Sequence, residues 1–115
     1  MAEKEKPRYI EESVPGMQIT LAHIIRRPVD DLYEKLDMEN TGQAIGLMVL
    51  TPTDAAIIAG DVAGKMANVN LVYVDRFGGA LYFVGDTSSV EYSLMAVERQ
   101  LKVILGVHLC PITSS

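Results

Sequence analysis

The chain has 115 residues, 49% of them hydrophobic, with one cysteine and a net charge of −5. This length predicts one domain, and the composition excludes both a disordered polymer, which is poor in hydrophobic residues, and a disulfide scaffold, which needs several cysteines. The acidic balance argues against nucleic acid as a partner, because phosphate binding needs clustered lysine and arginine, and no apolar run approaches the roughly 20 residues that cross a membrane.

The first 25 residues divide into a charged tail, a short extended segment and a strand. Residues 1–8 mix both signs of charge and have no apolar period, which predicts a flexible tail and no secretion signal, as in a cytoplasmic protein. Residues 9–14 can be extended, but two of the six are glutamate, so they are not a buried central strand. Gln18–Ile25 alternates apolar positions on both faces and predicts a strand.

A short helix, a polar loop and an apolar strand follow. Residues 29–36 come directly after Pro28, carry apolar residues at helical spacing and have Asp30 and Asp31 in the first turn. Residues 37–43 are a polar loop, and residues 45–50 predict a short apolar strand.

The next helix is rich in small residues. Thr51-Pro52-Thr53-Asp54 has the order of a capping box, which predicts a helix from Thr51 to about Asn68. Gly60 and Gly64 lie inside it, and a glycine costs a helix about 1 kcal/mol relative to alanine. Such glycines are tolerated best where another backbone packs closely. That backbone belongs either to the sheet beneath the helix or to another subunit.

A hairpin, a third helix and a last strand complete the chain. Residues 69–75 and Ala80–Gly85 predict two strands that turn at Phe77-Gly78-Gly79 beside Arg76. This glycine turn joins two strands and therefore does not have the context of a phosphate loop. Ser88 and Glu91 predict a capping box for the third helix, which Gly106 ends. Residues 107–113 contain Pro111, which predicts a strand that lies at an edge or stops early.

From Ile45 onward the order strand, helix, strand, strand, helix, strand is the ferredoxin-like pattern. It predicts an α+β fold with an antiparallel sheet and both long helices on one face. Two segments, Gln18–Ile25 and residues 107–113, compete for the fourth place in this sheet, so the ends of the chain are rearranged relative to the common pattern.

Few residues are suited to catalysis or to metal binding. Asp30 and Asp31 lie at a helix start, and the sequence offers them no partner suited to general acid or base catalysis. His108 and Cys110 share one face of the predicted last strand, but no third group orients the imidazole and no further metal ligands follow. We therefore predict no catalytic residue, no metal and no cofactor.

Short motifs follow one another from about Tyr9 to the end of the chain. They are Val14-Pro15-Gly16, Ile19 to Ile25, Thr51-Pro52, Ala59-Gly60-Asp61, Asp75-Arg76-Phe77, Gly79-Ala80, Val90-Glu91, and Leu109-Cys110 with Thr113. Together they resemble the circularly permuted shell proteins of bacterial microcompartments, the EutS and PduU type of ethanolamine and propanediol utilisation.

The resemblance implies a permuted BMC shell domain over residues 9–115. In this arrangement Gln18–Ile25 and the helix of residues 29–36, which usually end the domain, have moved to its front. Proteins of this family are structural and form cyclic hexamers. Their implied partners are further copies of the chain, other shell proteins and the enzymes that the compartment encloses.

The resemblance also implies roles for particular residues. Lys65 matches the lysine at the hexamer edge, and Arg27 matches the arginine that accompanies it. The hairpin matches the loop around the six-fold axis; it comprises Arg76, Phe77, Gly78 and Gly79. The segment that matches a small barrel over this axis, formed with five symmetry mates, comprises Tyr9, Ile10, Glu11, Glu12, Ser13 and Val14.

Two other functions stay open from the residues themselves. One is an oligomeric, ferredoxin-like regulatory domain that binds a small metabolite. The other is a small enzyme that uses Cys110 and His108.

Overall fold

The computed structural model describes residues 17–66 and 68–115, so the predicted tail (residues 1–8) and the predicted barrel segment (residues 9–14) lie outside the described residues. The described part of the chain holds five strands and three helices. In chain order they are β1 (Gln18–Ile25), α1 (Asp30–Lys35), β2 (Ala44–Thr51), α2 (Ala55–Met66), β3 (Asn70–Asp75), β4 (Ala80–Gly85), α3 (Thr87–Leu105) and β5 (Thr113–Ser114).

The strands form one sheet in the spatial order β3-β4-β2-β1-β5. The first four are antiparallel to their neighbours, whereas β5 runs parallel to β1. α2 lies over β2 and β3, α3 lies over β1 and β2, and the two helices pack against each other. The predicted α+β fold, with two long helices on one face of the sheet, is confirmed.

The fourth place in the sheet is taken by β1. It pairs with β2 over nearly its whole length, from Gln18 opposite Thr51 to Ile25 opposite Ile45. The predicted strand of residues 107–113 is wrong in extent, because within it only a bridge between Gln18 and His108 and the start of β5 are paired. Pro111 lies between these two contacts and has no N–H to donate to a strand ladder.

The starts of the two long helices differ from the predicted capping boxes. Thr51 ends β2 opposite Gln18, so its backbone belongs to the sheet, and α2 begins only at Ala55. In α3 the cap is Asp86, whose Oδ1 accepts a hydrogen bond from the Ser89 N–H at 2.9 Å. The predicted box of Ser88 and Glu91 is therefore wrong.

The main core lies between the sheet and the two long helices. Its largest buried side chains include Met48, Leu81, Phe83, Leu94 and Leu101. A second, smaller cluster lies on the opposite face of the sheet under α1; it contains Tyr33, Ile45 and Val84. Successive residues of a strand point to opposite faces, so Ala44 and Ile45 of β2 enter different clusters.

Candidate assembly surfaces

The turn at residues 76–79 is held tightly to the end of β2. The Gly79 N–H donates to the Asp75 carbonyl oxygen at 2.7 Å, and the Gly79 carbonyl oxygen accepts from the Leu50 N–H at 2.9 Å. The Asp75 Oδ1 also accepts from the Phe77 N–H at 3.0 Å. Gly79 has a φ of +79°, and a Cβ on it would overlap the Leu50 carbonyl oxygen, so this position requires glycine.

The tip of this hairpin presents an aromatic ring and a cation. Phe77 is 80% exposed. The Arg76 guanidinium carbon lies 4.9 Å from the centroid of the Phe77 ring, which is a cation–π distance. The structure therefore brings the predicted axis residues together in one rigid turn with an exposed apolar tip.

An open groove lies beside the hairpin, between α2 and β3. It is lined by Ile57, Asp61, Leu71, Tyr73, Val74, Asp75, Arg76 and Phe77. Several of its apolar members are substantially exposed, with Ile57 at 51%, Tyr73 at 47% and Leu71 at 44%. β3 is an edge strand of the sheet, so nothing in the described part of the subunit covers this side. The sequence prediction did not identify the groove, although it identified the hairpin that borders it.

The end of α2 carries the predicted edge lysine. Lys65 is paired with Asp61 one turn earlier, with Nζ 2.8 Å from Oδ2, and both side chains are largely exposed. Gly60 packs on the sheet, where an added Cβ would come 3.2 Å from a Val74 methyl group. Gly64 has no heavy atom within 4 Å of an added Cβ. The first glycine thus fits the sheet beneath the helix, while the second leaves open space beside Lys65.

The predicted partner of the lysine, Arg27, lies after β1 and is exposed. Within residues 17–66 and 68–115 it has no ion pair, whereas its neighbour Arg26 pairs with Glu91 at 3.0 Å. No hydrogen bond or ion pair of the described chain links Arg27 to Lys65, so a single subunit does not join the two predicted edge residues.

The C-terminal segment is held by side chains that the sequence prediction overlooked. The Cys110 thiol lies 3.9 Å from an Oε2 of the buried Glu98 on α3. His23 on β1 reaches two hydroxyl groups near the end of the chain, with Nδ1 2.6 Å from the Thr113 Oγ1 and Nε2 2.8 Å from the Ser115 Oγ. The contacts of Glu98 and His23 could not be predicted from the sequence, because the residues that they contact are distant in the chain.

The surroundings of Cys110 disfavour a reactive thiolate. Burial raises the pKa of its thiol, and the carboxylate of Glu98 raises it further. The imidazole of His108 is on an exposed residue that pairs with Gln18 only through the backbone. The two residues do not share a strand face as predicted, because the segment between them and β5 is not a strand.

The described residues, 17–66 and 68–115, offer neither a cluster of the usual metal ligands nor a helix that could span a membrane. They contain no group of three or more histidine, cysteine, aspartate or glutamate side chains placed to hold a metal ion. No helix within the same residues is both long and apolar enough to cross a membrane.

Known proteins resemble this chain over most of its length. The BMC domain model matches residues 44–113, from the start of β2 into β5. The chain is 50% identical to the bacterial microcompartment shell protein CutR of Streptococcus intermedius, over 94% of this chain and 92% of that protein. It is 45% identical to the shell protein PduU of Salmonella typhimurium, over 92% of this chain and 91% of that protein.

A solved structure agrees with this match. The structure described as a CutR flat hexamer has a TM-score of 0.84 and 48% sequence identity, and it covers 94% of this chain and 99% of the other. The motifs, the sheet order and these likenesses agree on one assignment. The chain belongs to the BMC-domain family, whose matched relatives are shell proteins of bacterial microcompartments.

Proposed function

We propose that this chain is a structural, non-enzymatic shell subunit and that six copies close into a ring, which joins other shell proteins around an enzyme-filled bacterial microcompartment. The observation that carries the proposal is the apolar groove beside β3. Its exposed aromatic and aliphatic side chains, of which Phe77 is the most exposed, are costly to leave in water and are typical of a subunit contact. The relative CutR is described as a flat hexamer.

The proposed domain covers residues 9–115 and is circularly permuted. Two observations support the permutation. The family model begins at Ala44, after β1 and α1. β1, the first strand of the described residues, occupies the sheet place beside β2 that the last strand of a ferredoxin-like order would fill.

The hairpin of residues 76–79 is proposed to surround the six-fold axis, with residues 9–14 of the six copies covering it. Close convergence of six turns favours glycine, and two of the four turn residues are glycines, which have no side chain. The metabolite-binding alternative and the Cys110 enzyme gain no support, since the matched relatives are shell proteins and the thiol is held neutral.

The test is the subunit count of the purified protein. Native mass spectrometry at micromolar protomer concentration is expected to show a dominant species of six chains, because exposed apolar surface drives association. Size-exclusion chromatography with light scattering provides an independent mass in solution. A protein that stays monomeric, or that closes with another rotational order, contradicts the proposal.

The edge residues Lys65 and Arg27 are proposed to act between rings. Lys65→Ala and Arg27→Ala are each expected to leave the hexamer intact and to change the free energy of unfolding by less than about 1 kcal/mol, because exposed charges contribute little within a subunit. Both are expected to reduce the formation of extended sheets or tubes several-fold, measured by negative-stain electron microscopy and pelleting.

The matched control is Lys35→Ala, which removes an exposed lysine from α1 and should leave sheet formation unchanged. Loss of the hexamer itself in either edge variant, or equal loss of sheets in the control, would count against this role.

A further inference from the structure

The two proposed edge residues, Lys65 and Arg27, belong to different elements, and α3 contacts both of these elements. Ser93 of α3 reaches the last turn of α2, which carries Lys65. Glu91 of α3 reaches the bend after β1, which carries Arg27. Glu91 and Ser93 are two residues apart, and such residues point to different sides of a helix. α3 therefore holds the two edge-bearing segments at once, one on each side.

The hydroxyl group of Ser93 supports the end of α2. It donates a hydrogen bond of 3.0 Å to the carbonyl oxygen of Ala63, and both residues are fully buried. The last four carbonyl groups of a helix have no partner within the helix, and Ala63 is the fourth residue from the end of α2. Ser93 thus satisfies a carbonyl group that the helix leaves open, two residues before Lys65.

This support is needed because the last turn of α2 is weak by itself. Gly64 lies in this turn, and glycine lowers helix stability relative to alanine. No heavy atom lies within 4 Å of a Cβ added to Gly64, so nothing packs closely on the turn at that position. The ion pair of Lys65 with Asp61 is largely exposed and joins two residues of the same helix. The Ser93 hydrogen bond, in contrast, is buried and ties the lysine-bearing turn to α3.

The bend that carries Arg27 is fixed on both of its sides. Before it, the Arg26 N–H donates to the Ser115 carbonyl oxygen at 2.9 Å, and the Arg26 guanidinium lies 3.0 Å from a carboxylate oxygen of Glu91. After it, the ring of Pro28 fixes its own φ and restricts Arg27 to extended backbone conformations. The position of Arg27 therefore depends on how Arg26 is anchored.

The pair of Arg26 and Glu91 is better suited to positioning than to stabilisation. The two side chains are 52% and 43% exposed, and ion pairs this exposed contribute little to the free energy of unfolding. A contact between rings, however, is made by every subunit of the ring, so a small displacement of each Arg27 is multiplied over the whole assembly. Loss of the pair is therefore expected to affect the joining of rings more than folding.

We propose that Glu91 and Ser93 are positioning residues, which hold Arg27 and Lys65 in the arrangement that joins one ring to the next. This inference rests on the proposed edge role of Arg27 and Lys65. α3 is the common support of the two residues, which no direct hydrogen bond or ion pair of the described chain links. If the contacts of α3 served only the stability of the subunit, sheet formation would follow the urea midpoint of each variant.

The experiment on Glu91 uses the full-length protein and measures sheets by negative-stain electron microscopy and pelleting. Glu91→Gln is expected to reduce the pelleted fraction at least threefold, while the hexamer and the urea midpoint stay unchanged. Arg26→Glu is expected to do the same, because it sets two carboxylates beside each other. The double variant Arg26→Glu with Glu91→Arg restores opposite charges and is expected to recover most of the sheets. The control Glu39→Gln removes one negative charge from the polar loop before β2 and should assemble like the unchanged protein.

The experiment on Ser93 separates position from stability. Ser93→Ala removes the hydroxyl group and is expected to reduce sheets at least threefold. The control Val97→Ala removes buried methyl groups from α3 and leaves the bond to Ala63 in place. It is expected to lower the urea midpoint by at least as much and to leave sheet formation unchanged at a temperature where circular dichroism shows both variants folded. Ser93→Cys, which keeps the size but donates only weakly, replaces Ser93→Ala if that variant misfolds.

Three results overturn the proposal. The first is normal sheet formation by Glu91→Gln or Ser93→Ala while Arg27→Ala and Lys65→Ala lose their sheets, which leaves the edge role itself intact. The second is a charge-reversed double variant that forms no more sheets than Arg26→Glu alone. The third is an equal loss of sheets in Val97→Ala. Unchanged sheets in both Arg27→Ala and Lys65→Ala refute instead the proposed edge role, and the positioning role falls with it.

Discussion

Replacing Gly79 with alanine is expected to lower the free energy of unfolding by about 2–5 kcal/mol. The left-handed backbone at this residue costs an L side chain about 1–2 kcal/mol. The new methyl group also overlaps the Leu50 carbonyl oxygen. Leu50 is tied to the same position, because its N–H donates to the Gly79 carbonyl oxygen. Overpacking of this kind typically adds about 1–3 kcal/mol. Urea unfolding at a fixed protomer concentration measures the change.

Gly42→Ala is the matched control. Gly42 has a similar φ of +72°, but no heavy atom lies within 4 Å of an added Cβ. Its substitution is therefore expected to cost only the conformational part, about 1–2 kcal/mol. Equal losses at the two positions would show that the contact with Leu50 does not constrain the hairpin.

Truncating Phe83 to alanine is expected to cost about 3–5 kcal/mol, because its ring is fully buried between the sheet and the helices. The expected consequence for assembly is a large loss of folded subunits, and hence of rings, at 37 °C. Thermal and urea unfolding followed by circular dichroism provide the measurement.

Gly46→Ala tests whether the Phe83 ring fills the space beside Gly46. A Cβ on Gly46 would lie 2.7 Å from Cε2 of Phe83 and 2.8 Å from a methyl carbon of Val90. Gly46→Ala is therefore destabilising in the unchanged protein but should cost less once the Phe83 ring is removed. The double variant is expected to be more stable than the sum of the single changes predicts. Strict additivity would contradict this packing.

The sequence predicts the main elements well because their signals are local. The strand Gln18–Ile25 and the helix that Gly106 ends were both predicted from neighbouring residues, and both elements are observed. The helix predicted from Thr51 begins later, at Ala55, because the competing interaction is distant. Thr51 pairs with Gln18 across the sheet, and a capping motif contains no information about that partner.

At the C-terminal end of the chain, local signals again do not predict which distant residues pair. Pro111 correctly predicted that the last strand is interrupted. The order of strands around β1, however, depends on which of two segments pairs with β2. Long complementary pairing favoured Gln18–Ile25, while the C-terminal segment is held by a few backbone hydrogen bonds to β1 and its flanks and by side chains such as Glu98 and His23. Such contacts join residues far apart in the chain and leave no periodic trace.

The groove was the main functional feature that pattern reading missed, although a signal was present. Residues 71–74 of β3 are all apolar, whereas an edge strand with one wet face normally alternates. A continuous apolar run at an edge indicates that something outside the subunit covers it. The hairpin was predicted from its glycine turn, whereas the proposed roles of Lys65, Arg27 and the hairpin come from the family resemblance and are tested by the edge experiment and the subunit count.

The unpaired border of β3 has a consequence for how the protein is made. Within the described residues β3 pairs with a strand on one side only, so its other side, flanked by Leu71, Val72 and Tyr73, offers backbone N–H and C=O groups to another chain. An exposed apolar strand edge is a template for nonspecific strand addition, which leads to aggregates. The interval between release from the ribosome and capture by a neighbour is therefore the most vulnerable stage in the life of the molecule, and rapid recruitment protects it.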